Sequence, residues 1–139
     1  MNANRQLWNR QHQALQRALA RPDAHRQALD LFLSQHAMVH SAQVSQAGAW
    51  SFEDEVWDGL SDAAARCIPA SLEHSVAWIM WHIARIEDVT MNLLVGDCPQ
   101  VFDEGGWLER THATIRHTGN AMTRDEITAL SDALDLEAL

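Results

Sequence analysis

Apolar residues recur at helical spacing along residues 74–94, the strongest pattern in the chain. Steps of three and four residues place them on one wide face of a long helix. They are Trp78, Ile79, Ile83, Ile86, Val89 and Leu93. His82 falls on the same face, four residues after Trp78 and four before Ile86. Burying an imidazole without a partner costs about 1–3 kcal/mol, so we expect His82 to form a hydrogen bond or to bind a metal.

A second amphipathic pattern covers residues 24–47 and predicts another long helix. Its inward stripe includes His36 and His40, which are one helical turn apart. Two imidazoles at this spacing lie on one helical face, close enough to share a cation, and helical zinc sites draw two ligands from one element in this way. The alternative is a pair of hydrogen-bonded histidines inside a bundle.

Shorter patterns lie at both ends of the chain. Residues 5–20 predict an N-terminal helix, and residues 107–134 predict short helices. Within the second range, Thr123 and Glu126 have the spacing of a capping box ahead of a final apolar stripe. No stretch shows the alternation of a β-strand.

Together these patterns predict an all-α fold. At 139 residues the chain has the length of a single domain, 1–139. Two long antiparallel helices, 24–47 and 73–95, surrounded by shorter ones, favour a helical bundle.

Composition excludes several classes of partner. The net charge is −9, and the ten basic residues, all arginines, are scattered, which argues against nucleic acid. No apolar run is long enough to span a membrane, and the polar N-terminus lacks the core of a signal peptide, so we expect a cytoplasmic protein. Cys67 and Cys98 match no metal or redox spacing, which fits a reducing compartment. Eight histidines favour the metal hypothesis.

Several sequence motifs carry a family resemblance. They are HAMVHSAQ at 36–43, WSFEDEVW at 50–57, HSVAWIMWHIARIEDVTMNLL at 74–94, WLER at 107–110 and GNAM at 119–122. Over residues 36–134 the chain resembles the DinB-like superfamily of metal-dependent helical proteins, which includes bacillithiol- and mycothiol-dependent transferases. The block WHIARIED is the most specific part of the resemblance.

The resemblance implies a four-helix bundle with a divalent metal held by three histidines. His82 matches the ligand on the second long helix. The family's other two ligands form a pair on the last bundle helix, and we expect this chain to be a C-terminally short member without that helix. Three interpretations stay open: His36 and His40 join His82, two chains complete a bundle as a homodimer, or the chain binds no metal.

The function expected from the resemblance is transfer of a low-molecular-weight thiol to an electrophilic small molecule. Three imidazoles would suit Zn, Ni, Fe or Mn, and an open position on the metal would hold water for hydrolysis or a thiolate for transfer. The alternative is a non-catalytic helical module that homodimerises through the face left by the missing helix. The sequence does not decide whether the protein is an enzyme.

Overall fold

The computed structural model describes residues 3–46 and 50–139. These residues form helices joined by turns and contain no β-strand, so the predicted all-α fold is confirmed. The chain divides into two compact units, Met1–Leu60 and Ser61–Leu139. The single domain stays a prediction. None of the described helices combines the length and apolar character needed to cross a membrane.

The first unit is built on two helices that pack against each other, α1 (Ala3–Leu19) and α2 (His25–Ala37). A short 3-10 helix, Pro22–Ala24, joins them, and the fixed φ of its proline suits the first turn of a helix. Their common core contains Leu15, Ala18, Ala24 and Ala28, with Leu31 packed against it. The many small residues in this core allow the helices to approach closely.

The predicted helix over residues 24–47 is wrong in its length, because α2 ends at Ala37. The chain first tightens: the N–H groups of Met38 and Val39 donate to carbonyls three residues earlier. Ser41 then adopts a non-helical conformation, with φ −49° and ψ 135°. A second, very short helix, α3 (Ala42–Ser45), follows. The predicted end at residue 47 lies outside the described residues.

Two carboxylates explain why the helix breaks there. The Ser41 N–H donates to Glu53 Oε2 at 2.9 Å, and the Ala42 N–H donates to Asp54 Oδ2 at 3.0 Å. A continuous helix would need both N–H groups for its own backbone. Both acids belong to α4 (Phe52–Trp57), which starts where the Ser51 hydroxyl accepts the Asp54 N–H.

The second unit contains five α-helices and a π-helix. They are α5 (Asp62–Arg66), α6 (Val76–Asp88), the π-helix Val89–Gly96, α7 (Val101–Glu104), α8 (Trp107–Arg110) and α9 (Arg124–Ala133). Their core contains Ala77, Trp78, Trp81, Phe102, Ala113, Ile127, Leu130 and Leu134. Helix α6 provides three of these residues and is therefore central to the unit.

The predicted helix 73–95 corresponds to α6 and the π-helix that continues it. It begins later than expected, because the Ser75 hydroxyl accepts the Trp78 N–H and caps α6 at that point. The short helices predicted within 107–134 are present as α8 and α9. The capping box of Thr123 and Glu126 is confirmed, with both of its hydrogen bonds formed.

Candidate metal centre

In the first unit, the side chains of His36 and His40 meet. His36 lies in the last turn of α2, whereas His40 lies in the turn beyond it, so the two do not share a regular helix as the sequence predicted. Their rings are nevertheless adjacent, with centroids 4.7 Å apart. Their Nε2 atoms are 3.4 Å apart, and both residues are half-buried. The Phe32 ring stacks on His36, with centroids 6.0 Å apart.

The separation of the two Nε2 atoms matches that of two ligands on one cation. Zn–N bonds of about 2.0–2.1 Å at a tetrahedral angle place two nitrogens about 3.3–3.4 Å apart. Without a metal, two lone pairs at this distance repel, so a ring proton must lie between the nitrogens as a hydrogen bond. Binding a cation through both atoms requires that proton to leave Nε2. The pair is thus suited to a divalent metal that accepts neutral imidazoles.

The turn that carries His40 is fixed on both sides. On the α2 side, the Val39 N–H donates to the carbonyl of His36 at 3.0 Å. On the other side, the carbonyl of buried Met38 accepts the Phe52 N–H at 2.8 Å, and Ser41 is bonded to Glu53. These contacts hold His40 in place even though regular helix has ended.

Asp54 supplies a stable negative charge to this turn. The pKa of Asp54 is lowered, chiefly by the hydrogen bond from the Ala42 N–H and then by the hydroxyl of Ser51, and burial opposes the shift only in part. The carboxylate therefore stays ionised, and a negative charge is favourable at the N-terminus of α3. The sequence alone did not predict this function of the α4 acids. Local spacing does not reveal this function, because the N–H groups that these acids accept lie twelve residues earlier in the chain.

His82 lies on α6 in the second unit and is half-buried. The expectation that it has a partner is confirmed: its Nδ1 atom is 2.7 Å from the carbonyl oxygen of Thr118. A carbonyl can only accept, so Nδ1 carries the proton and Nε2 carries the lone pair in the neutral ring. Metal-binding histidines commonly have this arrangement. That His82 shares a cation with His36 and His40 stays a prediction.

The family model of the DinB superfamily matches residues 47–139. This range includes His82 and begins after His36 and His40. No curated protein and no solved structure shows significant similarity to the chain. The family match covers more than half of the sequence and most of the region in which the motifs were found. The chain therefore belongs to the DinB superfamily.

Proposed function

We propose that this DinB superfamily member binds a divalent metal through His36 and His40. The observation that supports the proposal best is the 3.4 Å separation of their Nε2 atoms. Two imidazoles do not fill a coordination sphere, and the sequence prediction names His82 as a third ligand. Its Nε2 lone pair gives it the right donor chemistry. Zn, Ni, Fe and Mn are the candidate metals, and imidazole ligands are common for most of them.

We further propose that the protein is a metal-dependent transferase or hydrolase of small molecules, with a low-molecular-weight thiol as the first candidate substrate. A bound metal with an open position would act as a Lewis acid and activate water or a thiolate. The chain's own residues would bind the metal and hold the two histidine ligands in position. His36 and His40 offer nitrogen ligands, Phe32 covers one face of the His36 ring, and the bonded turn keeps His40 in position.

Metal content tests the proposal directly. Protein purified without a His-tag should contain about one divalent metal per chain, measured by elemental mass spectrometry. Replacing both His36 and His40 with alanine should lower that content more than about tenfold, because both close nitrogen donors are lost. His82→Ala tests the third ligand in the same way. Far-ultraviolet circular dichroism should show unchanged helical content in each variant.

His25→Ala is the matched control, because His25 is exposed and lies on the same helix as His36. It should keep the wild-type metal content. A double variant that retains its metal would contradict the proposed site. If the metal is confirmed, thiol transfer to an electrophile and hydrolysis are assayed with the metal-loaded wild type. The double variant should lose either activity along with its metal.

A second candidate function is that of a helical module that forms a homodimer. Helix α6 supports it with a stripe of isoleucines, Ile79, Ile83 and Ile86, which are 41%, 38% and 39% exposed. Large apolar side chains at this spacing form a continuous surface, and such surfaces commonly mark sites of association. We call Ile79, Ile83 and Ile86 the isoleucine stripe. A second copy of the chain would cover it symmetrically.

Ile83→Glu should separate such a dimer into single chains, because each dimer would bury a carboxylate on both sides of the interface without a partner. Light scattering coupled to size exclusion would show the molar mass falling by half. Leu19→Glu is the control, since Leu19 is 70% exposed at the end of α1 and lies outside the stripe. A wild-type mass equal to one chain would exclude the dimer.

A further inference from the structure

The carbonyl that accepts the hydrogen bond from His82 lies in a turn at residues 116–119, far from His82 in the sequence. Thr118 provides the carbonyl, and Gly119 follows it with φ +88°. We propose that Gly119 is a positioning residue for His82: its lack of a side chain lets the turn lie against Trp78, which places the Thr118 carbonyl on Nδ1. The inference deepens the proposed function, because it assigns Nε2 as the atom through which His82 would bind a metal.

Gly119 is required here for two independent reasons. A φ of +88° lies in the left-handed region that favours glycine. In addition, a Cβ atom at this position would lie 3.0 Å from Nε1 of Trp78 and 3.2 Å from both Cε2 and Cζ2. Such distances are too short for an unstrained contact, so a side chain would push the turn away from the indole.

Trp78 has little freedom to move aside. It is 7% exposed and belongs to the core of the second unit. The ring of His74 stacks on it, with centroids 4.0 Å apart. The ring of His82 also stacks on it, with centroids 4.7 Å apart and planes only 10° from parallel. A side chain at position 119 would therefore displace the turn and not the indole.

Other hydrogen bonds hold the turn in the same orientation. Buried Arg85 donates from Nη2 to the carbonyl of Arg116 at 3.1 Å. The Gly119 N–H donates to Nδ1 of His117 at 3.0 Å. The Thr118 carbonyl therefore lies between two anchored residues and is aimed at the His82 ring. This arrangement fixes the Nδ1–H tautomer before any metal arrives, as carbonyl partners of metal-binding histidines do.

Nitrogen NMR of the imidazole rings tests the proposal on metal-free protein at about pH 8, where histidines are mainly neutral. The His82 signals are identified by their loss in His82→Gln. The wild type should show His82 as essentially one tautomer, protonated on Nδ1. Gly119→Ala should convert this to a mixture of both tautomers, because the Thr118 carbonyl moves away. A wild-type His82 protonated on Nε2 would overturn the proposal without the need for any variant.

Gly106→Ala is the matched control for backbone strain. Gly106 also has a positive φ, +62°, but the nearest atom to a Cβ there is Oε2 of Glu109 at 3.6 Å. This variant should leave the His82 tautomer unchanged. If it changes the tautomer as much as Gly119→Ala does, or if Gly119→Ala leaves the tautomer unchanged, the assigned function of Gly119 is wrong.

A rescue variant isolates the contact with Trp78. Combining Gly119→Ala with Trp78→Phe removes the indole atoms that the new methyl group would meet, and it should restore part of the Nδ1–H tautomer, because the strain of the positive φ remains. Failure to restore it would show that the contact with Trp78 is not the cause. Because these spectra need no metal, a protein that takes up no metal but shows His82 protonated on Nδ1 would contradict the proposed function and leave the function of Gly119 intact.

Discussion

Replacing Asp88 with alanine is expected to lower the free energy of unfolding by about 3–5 kcal/mol, as the loss of one partner from a buried ion pair does. Asp88 ends α6, and its side chain is only 12% exposed. Its Oδ1 atom accepts the N–H of Val101 at 2.9 Å and the amide of Asn92 at 2.8 Å. Its Oδ2 atom accepts the N–H of Phe102 at 3.0 Å and Nη1 of Arg85 at 2.7 Å. One carboxylate thus joins α6 to the start of α7.

Arg85 makes the loss of Asp88 especially costly. Its side chain is 5% exposed, and its guanidinium carbon lies 4.1 Å from the centre of the Phe102 ring. Without Asp88, a buried positive charge keeps only neutral acceptors, the side chain of Gln100 and the carbonyl of Arg116. Urea unfolding followed by circular dichroism would measure the loss. A variant as stable as the wild type would show that the ion pair contributes little.

Asp88→Asn is the control that keeps the shape and removes the charge, and its loss of stability should be smaller. It also tests the pH dependence. Burial by itself raises the pKa of Asp88, but the N–H groups of Phe102 and Val101, the amide of Asn92 and the charge of Arg85 together hold it below its usual value. Because the folded pKa is lowered, the Asp88 carboxylate stabilises the fold at pH values above the pKa of the unfolded chain, about 3.9. That contribution disappears as the pH falls through the folded pKa.

The wild type should therefore lose stability on acidification more steeply than Asp88→Asn does in the region below about pH 4. Urea midpoints measured at steps of pH, with both proteins in the same buffer series, would give the two slopes. Equal slopes would mean that the Asp88 carboxyl titrates alike in the folded and unfolded chains.

The sequence predicted those parts of the fold that depend on neighbouring residues. The helical spacing of α6 and the capping box of α9 are local, and each is present, although three isoleucines on the apolar face of α6 are exposed. The end of α2 was not predictable in this way. It depends on Glu53 and Asp54, which lie twelve residues beyond the N–H groups they accept. The hydrophobic periodicity of residues 24–47 contains no information about hydrogen bonds to a later helix.

The candidate metal centre likewise combines local features that the sequence predicted with distant contacts that it did not predict. The spacing of His36 and His40 predicted that their rings would be adjacent, and they are, although the helix assumed to carry both ends between them. The sequence also predicted that His82 needs a partner. It did not identify the carbonyl of Thr118, because a backbone acceptor has no side chain to mark it in the sequence. The need for glycine at position 119 follows from its backbone conformation and from its distance to Trp78, which only the structure shows.

Trp81→Ala is expected to lower the free energy of unfolding by about 3–5 kcal/mol, the usual cost of emptying a buried tryptophan site. Trp81 is 1% exposed in the core of the second unit. Its ring meets that of Phe102 edge to face, with centroids 5.4 Å apart and planes at 78°. Alanine would remove this contact and leave a cavity that the surrounding helices can fill only in part. Calorimetry or urea unfolding would measure the loss.

Two further variants separate the contribution of volume from that of the indole nitrogen. Among the described residues, none accepts a hydrogen bond from Nε1 of Trp81, although the atom is buried. Trp81→Phe keeps an aromatic ring and removes this unpaired N–H, so its loss should be only about 1–2 kcal/mol. Trp107→Ala, at a half-buried tryptophan of the same unit, should also cost less than Trp81→Ala. If Trp81→Phe were as damaging as Trp81→Ala, the indole nitrogen would have to contribute a favourable interaction, and packing volume would not explain the site.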